Sequence, residues 1–419
     1  MSSEWHELPL GDLVTFKTGK LDSNAAEQYG HFPFFTCSQN TLAINSYAFD
    51  TEAVILAGNN ANGVFAIKHY LGKFNAYQRT YVIEPIDKEN TNCRYVYFLI
   101  SHMVGHLQEL SVGSATKFLT KTILNALSVR IPPKAEQDEI ALLLSSFDDR
   151  ITLLRETNAT LEAIAQALFK SWFVDFDPVR AKMEGRIPEG LDEATAALFP
   201  DGLEESALGL VPRGWRVGPI GDAVEAVGGA TPDTKNPAYW EPATHCWTTP
   251  KDLSGIAAPV LLDTERKLSD QGLAKIGSGA LPVGTLLLSS RAPIGYLALA
   301  QVPLAINQGY IAMLPGGKLP PLYLLFWCRQ NMDSIKGRAN GSTFMEISKK
   351  AFRPIPALVP PPEVVKEFTT VAGTLFGRLI ESEKQAQTLA TLRDTLLPRL
   401  ISGALRLPQA QATAEEALA

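Results

Sequence analysis

The chain contains nearly the same phrase twice, and this repeat constrains its fold more than any other feature. Residues 131–140 read IPPKAEQDEI and residues 359–368 read VPPPEVVKEF, an offset of 228. The same offset aligns further pairs: Tyr95 with Tyr323, Phe98 with Phe326, Gly113 with Gly341, Arg150 with Arg378, Leu161 with Leu389 and Leu168 with Leu396. Upstream, residues 4–14 and 214–224 match at an offset of 210. We therefore predict a tandem duplication of roughly 200 residues per unit, each a globular block followed by a helix.

Each repeated phrase begins a helical pattern. Pro133 suits the first turn of a helix, and the acidic residues that follow it complement the helix dipole. Apolar residues then recur every seven positions in two rows: Ile140, Phe147, Leu154, Leu161, Leu168, and Leu144, Ile151, Asn158, Ala165, Trp172. A seam of this kind predicts a coiled coil, and the polar Asn158 inside it is expected to fix the register of pairing.

The second helix repeats the seam with smaller residues, and we expect it to break at Pro398. Bulky rows interdigitate with small ones, and an apolar seam this long needs a partner of similar length. We predict that the two long helices pair with each other as an antiparallel coiled coil. The alternative is that each helix packs only on its own domain.

The globular blocks are punctuated by Gly, Pro and Asn and contain short β-like runs, such as AVILAG at 53–58 and YIAMLP at 310–315. A helix is expected after each set of strands, so the fold class is α+β, with two domains in tandem and two long helices. The predicted boundaries are 1–130 for the first domain, 131–177 for the central helix, 178–210 for a linker, 211–358 for the second domain, 359–402 for the distal helix and 403–419 for a mobile tail.

Composition is that of a globular protein without a membrane span: 46% of the 419 residues are hydrophobic and 20% are charged. We expect a cytoplasmic protein. The formal charge of -6 is unevenly distributed, since residues 131–210 carry 7 lysines and arginines against 16 carboxylates, whereas residues 211–358 carry 15 against 10. The acidic average therefore does not exclude DNA as a partner. The four cysteines form no CxxC pair, so neither a metal site nor a disulfide is predicted.

Polar loops in both blocks carry amides that can read base edges and cations that can bind phosphate. The alternative for each is an ordinary solvated turn. The candidate DNA-binding residues are Asn59, Asn60, Asn62, Gln78, Arg79, Ser114, Lys117 and Lys121 in the first block, and Lys235, Lys251, Arg291, Ser342, Lys349 and Lys350 in the second.

No motif for catalysis stands out. The sequence NPAY at 236–239 lacks the second proline of an adenine methyltransferase loop, and no suitable glycine-rich turn precedes it. Pro232-Asp233 with Glu265-Arg266-Lys267 is only a loose match to a metal-dependent nuclease pattern. Because an ATP-binding phosphate loop is also missing, we predict that the chain has no catalytic residue and no cofactor of its own.

Several long segments resemble the DNA-specificity subunit of type I restriction-modification systems. They are IPPKAEQDEIALLLSSFDDRITLLRE, LFKSWFVDFDPVRAK, GLDEATAALFPDGLEESALGLVPRGW and LRDTLLPRLISGALRL. The resemblance implies two target-recognition domains, each reading one half of a split target in double-stranded DNA, with the paired helices as a spacer. It also implies two modification subunits, which use S-adenosylmethionine to methylate adenine, and restriction subunits, which use ATP and magnesium.

Two predictions from the sequence each have an alternative. Phe169, Trp172, Phe173 and Asp175 stand where the first seam ends, and we predict that they dock a modification subunit; the alternative is that the aromatic residues are core. The competing function is a two-headed coiled-coil scaffold that binds proteins and not DNA. Salt dependence separates the two functions, because phosphate contacts weaken steeply as salt rises.

Overall fold

The computed structural model describes residues 5–60, 65–113, 116–341 and 345–418. The chain divides into two compact units. Unit 1 comprises Met1–Thr152 and Gln387–Ala419, and unit 2 comprises Leu153–Ala386. Each unit therefore contains one globular block and parts of both long helices.

Unit 1 is built on a six-stranded sheet of order β2-β8-β5-β7-β3-β4. Its strands are β1 (His6–Pro9), β2 (Val14–Thr18), β3 (Phe32–Phe35), β4 (Leu42–Ile44), β5 (Phe49–Ala57), β6 (Asn59–Asn60), β7 (Ile67–Ala76), β8 (Thr80–Pro85), β9 (Lys117–Phe118) and β10 (Ser128–Ile131). The helices of its globular block are α1 (Leu10–Leu13), α2 (Cys93–Leu110) and α3 (Lys121–Ala126), with a 3-10 turn at Ser23–Ala25, and helix α4 (Lys134–Lys170) follows β10. The apolar run predicted as a strand at 53–58 is confirmed as the buried centre of β5. Helix α2 packs on β5 and β7, and its N-terminus is capped by Asn92, whose side chain accepts a hydrogen bond from Tyr95 N at 2.9 Å.

Unit 2 contains a five-stranded sheet of order β14-β21-β18-β19-β16 and a three-stranded sheet of order β17-β15-β20. Its helices are α5 (Asp177–Met183), α6 (Glu193–Ala197), α7 (Asp270–Leu273), α8 (Pro321–Gln330), α9 (Met332–Gly337) and α10 (Lys349–Phe352), with a π turn at Ser171–Asp175 and 3-10 turns at Ile220–Asp222, Pro237–Tyr239 and Pro250–Leu253. Its strands are β11 (Leu203–Ser206), β12 (Gly209–Pro212), β13 (Arg216–Pro219), β14 (Ala226–Val227), β15 (His245–Thr248), β16 (Val260–Leu261), β17 (Arg266–Leu268), β18 (Leu286–Ser289), β19 (Leu297–Ala300), β20 (Leu304–Ile306), β21 (Tyr310–Met313) and β22 (Pro356–Val359). Strands β18, β19 and β21 are buried throughout, which explains their continuous apolar sequence.

The long helices α4 and α11 (Pro362–Ile401) have 37 and 40 residues. In unit 1, Arg393 Nη1 donates to Asp148 Oδ1 at 2.5 Å, and Arg406 Nη1, just beyond α11, lies 3.4 Å from Glu136 Oε1. The residue numbers on one side rise while those on the other fall. The pairing within unit 1 is therefore antiparallel.

The same direction holds within unit 2. Asn158 Nδ2 donates to Glu383 Oε2 at 3.4 Å, and the rings of Phe169 and Phe368 lie 5.7 Å apart. The predicted α+β class and antiparallel helix pairing are confirmed, and the alternative in which each helix packs only on its own domain is wrong.

One expectation differs from the structure, and two of the predicted segments contain helices or strands. Helix α11 does not break at Pro398 but continues to Ile401, because a proline in the last turns removes only one hydrogen bond and Ser402 N still donates to Pro398 O at 3.1 Å. The predicted tail at 403–419 contains helix α12 (Leu407–Leu418), which buries Ala410 and Ala414, and its mobility stays a prediction. The predicted linker at 178–210 contains helix α6, strand β11 and most of helix α5. Among the described residues, no helix is long and apolar enough to cross a lipid bilayer.

Candidate nucleic-acid interface

In unit 1, strand pairing brings together loop residues that are far apart in the sequence. Strand β6 pairs with β9 so that Asn59 lies opposite Phe118 and Asn60 opposite Lys117. Leu119 N donates to Gly58 O at 2.9 Å, and Gly58 N donates to Arg79 O at 2.8 Å. Four predicted residues, Asn59, Asn60, Arg79 and Lys117, therefore occupy one site.

Cys37 belongs to this site although the sequence did not indicate it. Its thiol donates to Asn59 Oδ1 at 2.8 Å and to Arg79 O at 3.3 Å. The Arg79 guanidinium lies 5.7 Å from the centre of the Phe118 ring. The site thus combines an amide, a cation and an aromatic ring, a mixture suited to base edges and phosphate. A single cysteine outside any motif does not indicate from the sequence that it contributes to such a binding site.

Gln78 lies beside the same site. Its backbone N donates to Leu21 O at 2.9 Å, and its Nε2 donates to Asp22 Oδ2 at 3.4 Å. Lys121 begins α3 directly after the cap residue Thr120 and is exposed. These contacts join the loop after β2 to the turn between β7 and β8.

Unit 2 has a corresponding site built on the same backbone bonds. Ser290 N donates to Gly309 O at 2.8 Å, and Ile347 N donates to Ser290 O at 3.0 Å. Arg291 pairs with Glu346 as a β-bridge, and its Nη1 lies 3.6 Å from Glu346 Oε2. In unit 1 the equivalent bonds join Gly58 to Arg79 and Leu119 to Gly58, so the duplication extends into the loops.

This equivalence identifies a residue that sequence reasoning missed. Gln308 precedes Gly309 as Gln78 precedes Arg79, and its Oε1 accepts a hydrogen bond from Thr231 Oγ1 at 2.7 Å. The pair has an offset of 230 rather than 228. The signal was therefore present but hidden by insertions between the repeated phrases.

The remaining predicted cations of unit 2 lie on three other segments. Lys349 Nζ lies beside Gly228, and both Lys349 and Lys350 are exposed at the start of α10. Lys251 Nζ pairs with Glu265 at 3.2 Å. Lys235 is exposed in a turn closed by its backbone N, which donates to Asp233 Oδ1 at 2.9 Å. The predicted residues Asn62, Ser114 and Ser342 lie outside the described residues.

The residues predicted to dock a partner lie elsewhere. Phe169, Trp172 and Phe173 are buried in the core of unit 2, where all three pack against Phe368. Their burial favours the core alternative, and docking of a modification subunit by these residues stays a prediction. Asp175 is half-buried and forms an ion pair with Lys170.

One group of metal-binding atom types occurs in unit 1, although no metal was predicted. Glu52, His69 and Cys93 offer ligand atoms within 4.8 Å of one another. The hydrogen bond with His69 is the main influence lowering the pKa of Glu52, and Lys88 and Arg94 add to this effect. Burial raises the pKa of Cys93 to about 12. Nearby cations and a protonated thiol disfavour a bound cation, so the group is a hydrogen-bonded cluster centred on Glu52 and His69.

The comparisons with known proteins agree on one family. The model of the Type I restriction modification DNA specificity domain matches residues 2–163 and again residues 212–387. The chain is 43% identical over 165 residues to the specificity subunit of the type I restriction enzyme EcoDI from Escherichia coli, a match covering 39% of this chain and 35% of that protein. Over 173 residues it is 36% identical to the MjaIX specificity subunit from Methanocaldococcus jannaschii, covering 41% and 40%. These matches span less than half of either relative.

A longer but weaker match is to the HindI specificity subunit from Haemophilus influenzae, 27% identical over 326 residues and covering 68% of this chain and 70% of that protein. Among solved structures, the S subunit of a type I restriction-modification system from M. genitalium has a TM-score of 0.58 and 16% identity. The structural alignment covers 95% of this chain and 96% of the M. genitalium chain. At this identity the similarity concerns the fold alone.

Proposed function

Because this chain belongs to the family of type I restriction-modification DNA specificity domains, we propose that it recognises a bipartite target in double-stranded DNA, with one half read by each unit. DNA target recognition itself follows from the family. The observation that supports a bipartite target is the duplicated loop site. The same backbone hydrogen bonds hold the turn at Gln78 and Arg79 in unit 1 and the turn at Gln308 and Gly309 in unit 2.

The side chains at the two sites differ, which is what two different half-sites require. Unit 1 presents Asn59, Asn60 and Arg79, whereas unit 2 presents Arg291 with Lys251 and Lys349 close to the same loops. Amides pair with adenine edges and arginine with guanine edges, while lysines contact phosphate. A common backbone framework with different side chains supports two units that recognise different DNA sequences.

The chain then acts as the non-catalytic part of a larger complex. Two modification subunits bind S-adenosylmethionine and methylate adenine, and restriction subunits bind ATP and magnesium. Helix α4, at 37 residues, is about 55 Å long, which exceeds one turn of DNA at about 34 Å. The paired helices set the distance between the half-sites, and the complex works in the cytoplasm.

The test is methylation mapping by long-read sequencing. The full chain is co-expressed with its modification subunit, beside a variant in which residues 1–130 are replaced by the corresponding block of another family member. We expect a split adenine-methylated motif of which only one half changes in the variant. A continuous motif, or a split motif unaffected by the exchange, would contradict the proposal. If the complex assembles but no methylated motif is found, the alternative function, a scaffold that binds proteins and not DNA, would be favoured.

A further inference from the structure

We propose that Arg266 reads a guanine edge in the half-site recognised by unit 2, with Trp240 and Trp247 holding its guanidinium in place. This inference rests on the proposed function and adds a specificity-determining residue to it. In the sequence, Arg266 stands out only as part of a loose match to a metal-dependent nuclease pattern.

The guanidinium of Arg266 lies against two indole rings. Its central carbon lies 3.6 Å from the centre of the Trp240 ring and 5.3 Å from that of Trp247. The two indoles meet edge to face, 5.2 Å apart at 82°. Arg266 lies opposite Trp247 in the pairing of β17 with β15. A cation held this way loses little further freedom when it binds a ligand.

Hydrogen bonds and burial fix the platform itself. Trp240 Nε1 donates to Asp233 O at 3.1 Å, and Trp247 Nε1 donates to Ala230 O at 3.2 Å. Trp247 is only 2% exposed. Both indoles are thereby tied to the segment that contains Thr231, the hydrogen-bond partner of Gln308 in the duplicated loop site. Arg266 is thus connected to that site by a rigid path.

The charged neighbours of Arg266 along the chain are already paired. Lys267 Nζ lies 3.3 Å from Asp263 Oδ1, and Glu265 is paired with Lys251. Within the ranges that the structure describes, no ion pair joins Arg266 to a carboxylate. The residue as a whole is exposed. Its stacked face is covered while the N–H groups along the edge of the guanidinium are left for a ligand.

An arginine whose face is covered and whose N–H groups are accessible suits a ligand with two hydrogen-bond acceptors in one plane. Guanine presents O6 and N7 in the major groove, and an arginine fork contacts both at once. A phosphate would also accept these bonds, but a lysine serves a phosphate as a point charge and needs no aromatic platform. The aromatic platform of Trp240 and Trp247 therefore favours contact with a base over contact with the DNA phosphate backbone.

The test compares Arg266→Lys, Arg266→Gln and the neighbouring control Lys267→Gln in the full chain with its modification subunit. The methylated motif is mapped, and thermal unfolding confirms that each variant is folded. We expect both Arg266 variants to accept other bases at one guanine position in the unit 2 half-site, with discrimination there falling roughly 5- to 150-fold. Lys267→Gln should keep the motif. Trp240→Leu, which removes the nearer ring of the platform but keeps Arg266, should weaken discrimination at the same position.

Other outcomes overturn the inference. If the motif half assigned to unit 2 contains no guanine, or if both Arg266 variants keep the motif unchanged, Arg266 only packs against the two indole rings and does not contact a base. If Arg266→Gln lowers methylation evenly at all sites and Arg266→Lys restores it, Arg266 binds phosphate. In each of these cases a split wild-type motif leaves the proposed function standing. A wild-type complex that gives no split motif overturns both.

Discussion

Asn158 donates a hydrogen bond from Nδ2 to Glu383 Oε2 over 3.4 Å, and both residues are buried where the long helices pair in unit 2. The heptad pattern indicated Asn158 as a polar position in the seam but gave no acceptor, since Glu383 lies outside the apolar rows. A buried carboxylate beside an amide is costly unless the two stay together. This pair is therefore a point at which helix register can be tested.

We expect Asn158→Leu to lower the free energy of unfolding by about 1–3 kcal/mol, because it leaves the Glu383 carboxylate buried without its donor. The double variant Asn158→Leu with Glu383→Leu should recover most of that stability, since two apolar residues need no hydrogen bond. Urea unfolding of the two single variants, the double variant and the wild type measures the coupling. Additive effects in this cycle would show that the pair does not act as a unit.

Gly19 and Gly229 should each be irreplaceable within their own unit. An added Cβ would lie 1.7 Å from Ala76 O at Gly19 and 1.8 Å from Ile306 O at Gly229, and both clashes are with backbone. Each alanine variant should be destabilised by about 1–3 kcal/mol or more through overpacking. Hydrogen exchange should show reduced protection in the substituted unit. Gly105→Ala in helix α2 is the matched control, with open space for a methyl group and an expected gain of about 0.5–1 kcal/mol.

Glu52→Gln should make stability less dependent on acid pH. His69 Nε2 lies 2.8 Å from Glu52 Oε1, and this hydrogen bond lowers the pKa of Glu52 below its usual 4.5. A lowered folded-state pKa contributes stability that is present above pH 4.5 and is lost as the pH falls through the folded value. The wild type should therefore be the more stable protein at pH 7, with the difference shrinking below pH 4.5. A difference that stays constant from pH 7 to 3 would contradict this account.

Lys349→Gln with Lys350→Gln should weaken DNA binding equally for all sequences. Removing one phosphate-binding lysine reduces the slope of log affinity against log salt concentration by about 1. The measurement is a salt titration of binding to target and non-target duplexes by the complex with its modification subunit. Lys366→Gln, which removes an exposed cation from helix α11, is the control. An unchanged slope in the double variant would make both residues ordinary solvated lysines.

Target DNA should protect Cys37 from alkylation. The thiol of Cys37 is half-buried and donates to Asn59 Oδ1, so a duplex on this site covers it. Cys93 and Cys328 should react slowly with or without DNA, because burial raises the pKa of both thiols. Mass spectrometry of peptides labelled with iodoacetamide gives the rate for each cysteine. Equal labelling of Cys37 with and without target DNA would place the duplex elsewhere.

The sequence was informative where structure depends on neighbours along the chain. The seven-residue spacing from Ile140 to Leu168 predicted the long helix, because a helix places such residues on one face. Apolar runs such as AVILAG likewise predicted buried strands. The same pattern was uninformative at the end of the seam, where Phe169, Trp172 and Phe173 would look alike whether they covered a core or a partner.

The sequence by itself therefore determined the duplication, the α+β class and the two long helices that pair. Tertiary structure alone decided which loops form a site: Asn60 meets Lys117, Arg291 meets Glu346 and Arg266 stacks on Trp240 through strand pairing or folding of distant segments. The physical reason is that periodicity is a local property, whereas a binding site depends on which strand edges meet. Loop composition indicated candidate residues, and only the fold could show which of them lie together.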